Sequence, residues 1–297
     1  MIYNISICPN VFEYDFFKNS FYARHLIKLI PNHSFFIYPT QKYFELIYSC
    51  LHLYNENIKK DIEEFLETMY NRKRLYYCHN SDINEWNIDI DTIRNLLDYI
   101  FSKDNTFTNI ETNFPNEINR FGASIDVSTS TILSDIFMKF IPYSRNIRVY
   151  DKYFNLLQDR FRDTLDILIS SINNSCRENN NVEIILNTSI DRRRQYTQND
   201  LQNIQNHIKN YSIENPNIYI EYRIWEERNN RWHDRYIITD TLAIHSGAGV
   251  DINNRRDSTF SIVEWDKISK IENKFEQNNP NSHNLKYVIT KEEVKEI

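Results

Sequence analysis

From residue 146 onward the chain switches repeatedly between two periodicities, and this alternation restricts the fold more than any other feature of the sequence. IRVYDKYF, VEIILN and IYIEYRIW are short runs rich in β-branched and aromatic residues, while residues 156–175 and 198–211 between them carry apolar residues at helical spacing. A β-α-β-α-β order predicts a parallel or mixed sheet covered by helices, with ligands bound at the carboxyl ends of the strands. HDRYIITD and LAIHSG read as two further strands joined at Thr239–Thr241, SIVEWD as another, and LKYVIT as a strand-like segment before the charged end KEEVKEI. The expected class is α/β, a mixed sheet flanked by helices.

The first part of the chain reads differently. Residues 2–8 have strand character and end at Pro9, residues 19–30 read as a helix stopped by Pro31, and residues 34–38 as a strand stopped by Pro39. Helical spacing covers 41–55, 58–71 and 91–101, with a short strand over 74–78. Residues 102–121 are polar and aperiodic, which marks a linker. The boundary is placed near Gly122, giving an N-terminal α/β or mostly helical domain over 1–122, of unassigned function, and a second domain over 123–297. A helix over 128–141, with Ser and Thr at its start and Pro142 at its end, opens the second domain. Glu13 and Asp15 are read as solvated carboxylates rather than metal ligands.

Composition excludes several classes. Hydrophobic residues make up 41% and charged residues 26%, so the chain is globular rather than disordered. No window reaches the roughly 18 uninterrupted apolar residues of a membrane helix, and the first residues lack a basic segment followed by an apolar one, so a cytoplasmic protein is expected. Cys8, Cys50, Cys78 and Cys176 are far apart and form no CxxC pattern, which reads as buried free thiols in a reducing compartment. A net charge of −6 argues against indiscriminate polyanion binding. The imbalance is uneven: from Arg145 onward there are about 22 Lys and Arg against about 23 Asp and Glu, and most of the arginines lie there. Arginine binds phosphate in bidentate fashion, so a phosphate site in this half fits the bias, as does a solvated surface.

Residue choices are hardest to explain by folding alone in the segment WHDRYIITDTLAIHSGAGVD, residues 232–251. The chain holds only 3 glycines, and two of them, Gly247 and Gly249, stand here around one alanine. A tight turn or a close approach to a ligand is the expected reason. As a strand, the start of this segment would set His233, Arg235 and Ile237 on one face.

His233, Arg235 and Asp240 have the spacing H-x-R-x4-D. With Gly247, Gly249 and Asp251 spaced G-x-G-x-D, this resembles the phospholipase D superfamily, whose pattern is H-x-K-x4-D. The likeness is greatest to the phospholipase D-like domain at the C-terminus of MIT-domain proteins, which also reads HDR. Asp151, Tyr153 and Phe154 resemble the D-P-Y-I/F strand end that opens those domains, with Lys152 in place of proline. The resemblance covers residues 123–270.

The resemblance implies a metal-independent phosphodiesterase without a cofactor. In it His233 is the nucleophile forming a phosphohistidine, Arg235 holds nonbridging oxygens, and Glu264 fixes the imidazole tautomer. Backbone N–H groups around Gly247 to Gly249 donate to phosphate, with Asp251 completing that element, while Asp240, Asp151 and Tyr153 belong to the structural motif. The leaving oxygen needs an acid, which single-motif members take from a second copy, so a homodimer is expected; His245 is the intramolecular alternative. A nuclease is the first reading, with a role in bacterial antiphage defence by analogy. The second is a noncatalytic module that reads phosphoinositide headgroups at a membrane surface or nucleic-acid phosphates, in keeping with the MIT-associated domains. A third leaves the site vestigial and gives the interaction, with an unknown protein partner, to the N-terminal domain. Arg192 to Arg194 could contact a nucleic-acid backbone, although a solvated basic turn explains them as well.

Overall fold

The structure is a computed structural model, and it describes residues 3–7, 9–38, 42–71, 75–77, 99–102, 108–109, 125–127, 137, 141–173, 181–190, 195–227, 232–247, 249–250, 258–263, 265–276 and 282–297. The chain divides into two compact units, Met1–Ala123 and Ser124–Ile297.

The first unit contains β1 (Tyr3–Ile7), α1 (Tyr14–Asn19), α2 (Phe21–His33), β2 (Ser34–Tyr38), α3 (Lys42–Leu51), α4 (Glu56–Asn71), β3 (Leu75–Tyr77), β4 (Tyr99–Ser102) and β5 (Thr108–Asn109). The strands lie in the order β3-β2-β1-β4-β5, and every pair is parallel. Side chains cap the helix starts: the Ala23 N–H donates to the Ser20 hydroxyl and the Ile58 N–H to the Asn55 side chain. Ile58, Ile62, Phe65, Leu66 and Met69 form the buried stripe of α4 and join a core with Val11, Phe12, Phe17, Leu26 and Ile30. Since the chain runs outward from β1 in both directions, the strand order reverses between β1 and β4.

Three expectations for this unit are corrected. The second helix does not stop at Pro31 but runs on to His33. Pro31 lies in its last turn, where the missing N–H removes one intrahelical bond from a segment about to end anyway. The expected helix over 91–101 does not reach residue 101, because Tyr99–Ser102 is a strand paired with β1, and β5 falls inside the stretch read as linker. Both strands owe their state to partners distant in sequence, which local periodicity does not register.

Among the described residues, the second unit forms a nine-stranded mixed sheet in the order β14-β13-β9-β8-β7-β10-β11-β12-β6. Its elements are β6 (Ile125–Val127), β7 (Asn146–Tyr150), α5 (Asp159–Asn173), β8 (Val182–Ser189), α6 (Gln198–Glu214), β9 (Ile218–Glu226), β10 (Arg235–Thr239), β11 (Ala243–Ser246), β12 (Ser258–Ile262), α7 (Trp265–Glu272), β13 (Asn284–Ile289) and β14 (Val294–Glu296). β7, β8 and β9 are parallel, and all other pairings are antiparallel. The expected α/β class with a mixed sheet is what the chain adopts. α5 and α6 are successive crossovers between parallel strands, and the shared handedness such connections favour places them on one face of the sheet, where Asn173 of α5 bonds Asn215 at the end of α6. α6 begins with a capping box in which Thr197 and Asp200 bond each other's backbone N–H.

α7 covers the opposite face. There Tyr150, Ile238, Ala243, Trp225 and Leu285 pack with Trp232, Ile268, Ile271 and Phe275. SIVEWD is therefore not one strand: β12 ends at Ile262 and a helix starts at Trp265. Of the helix expected over 128–141, only Phe137, helical and buried, and the first residue of a 3-10 turn, Ile141–Tyr143, lie among the described residues. Cys50 is a free, half-buried thiol, whereas Cys8, Cys78 and Cys176, along with Arg192 to Arg194, lie outside the described residues.

His283 links this face to pH. It is 5% exposed and packed against Trp232 and Phe275, with ring centroids 5.9 and 5.2 Å away. Burial, helped by the Lys274 ammonium and opposed by Glu227, holds its imidazole below the ordinary value of 6.5. The folded protein thus favours neutral His283, and unfolding at acid pH binds a proton. This contribution to stability is complete above about pH 6.5 and is lost as pH falls from there toward the lower folded value. Melting temperatures measured between pH 7.5 and 5 should show a drop in that window that shrinks in His283→Phe. An identical pH profile in that variant would refute the assignment.

Candidate functional site

Asp151, Tyr153, Arg235, Gly247 and Gly249 come together at the carboxyl end of β7. Because Tyr236 pairs with Tyr150 in antiparallel register, Arg235 at the start of β10 comes opposite Asp151, which follows β7. Asp151 is 1% exposed. Its Oδ1 accepts the Tyr153 N–H at 2.9 Å and lies 3.7 Å from Arg235 Nε, while its Oδ2 accepts the Val250 N–H at 3.2 Å. A buried carboxylate is costly unless hydrogen-bonded and paired, and here it is both.

Arg235 is gripped from several sides. Its Nη1 donates to the Gly247 carbonyl at 2.9 Å, and its guanidinium carbon lies 5.5 Å from the Tyr153 ring centre. Nε is buried without a hydrogen-bond partner among the described residues, since 3.7 Å from Asp151 is an ion-pair distance and not a hydrogen bond. Tyr153 is 49% exposed, and its ring also meets the Lys152 ammonium at 4.9 Å. Lys152 in turn lies 3.7 Å from Glu227.

The glycine turn serves this pair from within. Gly249 has φ of +135°, a conformation that side chains rarely adopt, and a Cβ there would stand 3.4 Å from Asp151 Oδ2 and 3.9 Å from Arg235 Cδ. The Gly249 N–H donates to the Ser246 hydroxyl at 3.2 Å, which donates back to the Gly249 carbonyl, and the Val250 carbonyl accepts from Thr164 at 3.0 Å. The N–H groups of Gly249 and Val250 thus bind Ser246 and Asp151, so the expected donation to phosphate does not come from those two groups. Gly247 is exposed and supplies a carbonyl to Arg235.

His233 departs from the expected strand face. β10 starts two residues later, and His233 is exposed on the approach to it. The reason is Trp232, which is buried against Phe275 at 4.7 Å and whose indole N–H donates to the Asp234 carbonyl at 2.8 Å. That bond turns the chain out of the sheet ladder just before Arg235. Among the described residues, His233 makes no hydrogen bond or ion pair; Glu264 and Asp251 lie outside them. Asp240 has a structural place, since its carboxylate accepts the Arg145 N–H at 3.0 Å and ties the end of β10 to the start of β7. His245 faces the other side of the sheet, opposite Tyr236. No group of three or more potential metal ligands occurs among the described residues.

Ser246 and Asn187 were not singled out by sequence, and Lys152 was noted only as standing where the resembled motif has proline. Asn187 receives the Trp225 indole N–H at 2.9 Å, and its carbonyl accepts the Asp151 N–H at 3.1 Å, fixing the end of β7. Only Ser246 carried a signal, a hydroxyl directly ahead of the two glycines.

Fold and site together define an α/β protein with a buried carboxylate and a guanidinium clamped where a parallel strand ends. No family profile matches the chain, and no curated protein does. Among solved structures, phosphatidylserine synthase from Haemophilus influenzae Rd KW20 aligns with a TM-score of 0.34 at 12% identity, over 55% of this chain and 39% of that one. TrmBL2, an archaeal chromatin protein, aligns with a TM-score of 0.30 at 8% identity, over 80% and 69%. This chain therefore spans about two-fifths of the synthase. No helix among the described residues is long and apolar enough to cross a membrane.

Proposed function

We propose that the Ser124–Ile297 unit is a phospholipase D-like phosphodiesterase acting on single-stranded nucleic acid. The observation that carries the reading is the clamped Arg235, preset by Asp151 and the Gly247 carbonyl at a strand's carboxyl end. A guanidinium held in this way loses little freedom on meeting a phosphate. Beside it, the half-exposed Tyr153 ring offers a face on which a base can stack, which favours nucleic acid over a lipid headgroup.

In this reading the imidazole of His233 attacks phosphorus, a P–N bond forms and the P–O bond to the leaving nucleoside breaks. The leaving oxygen takes a proton from a second His233 supplied by a partner copy, and water then cleaves the P–N bond. The second reading, binding without turnover, is favoured by the exposed position of His233, which has no hydrogen-bonding partner among the described residues.

Trapping the intermediate separates the two. The full chain is mixed with a single-stranded oligonucleotide labelled at its internal phosphates, in EDTA, and quenched in alkali, where a phosphohistidine survives. Label on the peptide containing His233, lost on acidification, is the expected result. Oligonucleotide binding without adduct or cleavage, weakened by Arg235→Ala, would replace the first reading with the second. Absence of both binding and adduct would sink both.

A further inference from the structure

We infer that the α7 face of the sheet carries a second anion site, separate from Arg235 and fitted to a nucleoside polyphosphate. Tyr236 follows Arg235 in β10, so its side chain points to the opposite face. There it pairs across strands with His245, ring centres 5.3 Å apart. The two rings floor an open cleft of about 400 Å³, within the range of about 300–1,000 Å³ usual for small-molecule sites.

One wall of the cleft is cationic. Lys267, Lys270 and Lys274 recur at spacings of three and four along α7 and the turn after it, which sets them in one stripe beside the buried Ile271. No carboxylate is among the described lining residues. Glu272, on the same helix, is engaged instead with Arg148 from β7. Burial, and then the Asp234 carboxylate bonded to its hydroxyl, raise the Tyr236 phenol to about 12. Ile262 and Val263 make the apolar side.

The ammonium groups of Lys270 and Lys274 on one wall suit a chain of phosphates, which lysines bind as point charges without the planar geometry that arginine requires. The paired rings and the aliphatic side suit a flat aromatic group, and the cleft has room for both. A sugar-linked base carrying two or three phosphates meets this combination of charge and shape, whereas inorganic polyphosphate satisfies only the wall.

Titration calorimetry on the full chain tests the assignment with ATP, adenosine and tripolyphosphate as probes. Saturable ATP binding is expected, tighter than that of either other probe. The double variant Lys270→Gln/Lys274→Gln should weaken it at least tenfold, and Arg235→Ala should leave it within twofold. No saturable ATP binding would overturn the proposal, as would binding lost in Arg235→Ala and kept in the lysine variant. Tripolyphosphate binding as tightly as ATP would refute the nucleoside part.

Discussion

Asp151→Ala should destabilise the second unit by about 3–5 kcal/mol, the range for breaking a buried ion pair by removing one partner. Asp151 is 1% exposed, and the substitution strands two backbone N–H groups, those of Tyr153 and Val250, as well as the Arg235 guanidinium. Asp151→Asn should lose less, about 1–3 kcal/mol, because the amide keeps one acceptor but turns donors toward groups that themselves donate. Urea unfolding followed by tryptophan fluorescence is a direct measure, since Trp225, Trp232 and Trp265 are three of the chain's four tryptophans and all lie in this unit. A loss below about 1 kcal/mol for the alanine variant would mean that the carboxylate is not the buried hub described here.

His233→Ala should have the larger effect on chemistry and almost none on folding. If the imidazole is the nucleophile, cleavage of a single-stranded oligonucleotide should fall by about 10⁴-fold, equivalent to about 5.5 kcal/mol of transition-state stabilisation. Affinity for the oligonucleotide should stay within about threefold, because His233 takes no part in holding Arg235, whose contacts are Asp151, Gly247 and Tyr153. The melting temperature should hardly move, since the residue is exposed. Undiminished cleavage in this variant would remove His233 from the mechanism while leaving the Arg235 site untouched.

The sheet of the second unit was readable wherever a strand or helix announces itself locally. Val182–Ser189, Gln198–Glu214 and Ile218–Glu226 follow closely from their periodicity. Legibility ended where a distant partner decides. Ile125–Val127 becomes a strand only because Ser258–Phe260 lies beside it, and Tyr99–Ser102 only because β1 does. At the site, the two glycines pointed to an unusual backbone, and Gly249 has one. What the sequence could not convey is the direction of that turn's hydrogen bonds. Two of its N–H groups face inward to Ser246 and Asp151, which depends on a carboxylate 99 residues earlier. The displacement of His233 from the strand was equally hidden, because it follows from where Trp232 finds a pocket.

The span of 99 residues between Asp151 and Val250 also bears on when the site comes into being. The three parallel strands and their two crossover helices are complete by Glu226, before Arg235 has been added to the growing chain. In chain order, the carboxylate of Asp151 thus belongs to the parallel half and its guanidinium partner to the antiparallel part that follows. The pair needs β10 docked on β7 and the Val250 N–H returned to Asp151, contacts that close long loops and carry their entropy cost. A chain truncated before β10 would therefore carry the parallel half of the sheet without the Asp151–Arg235 pair.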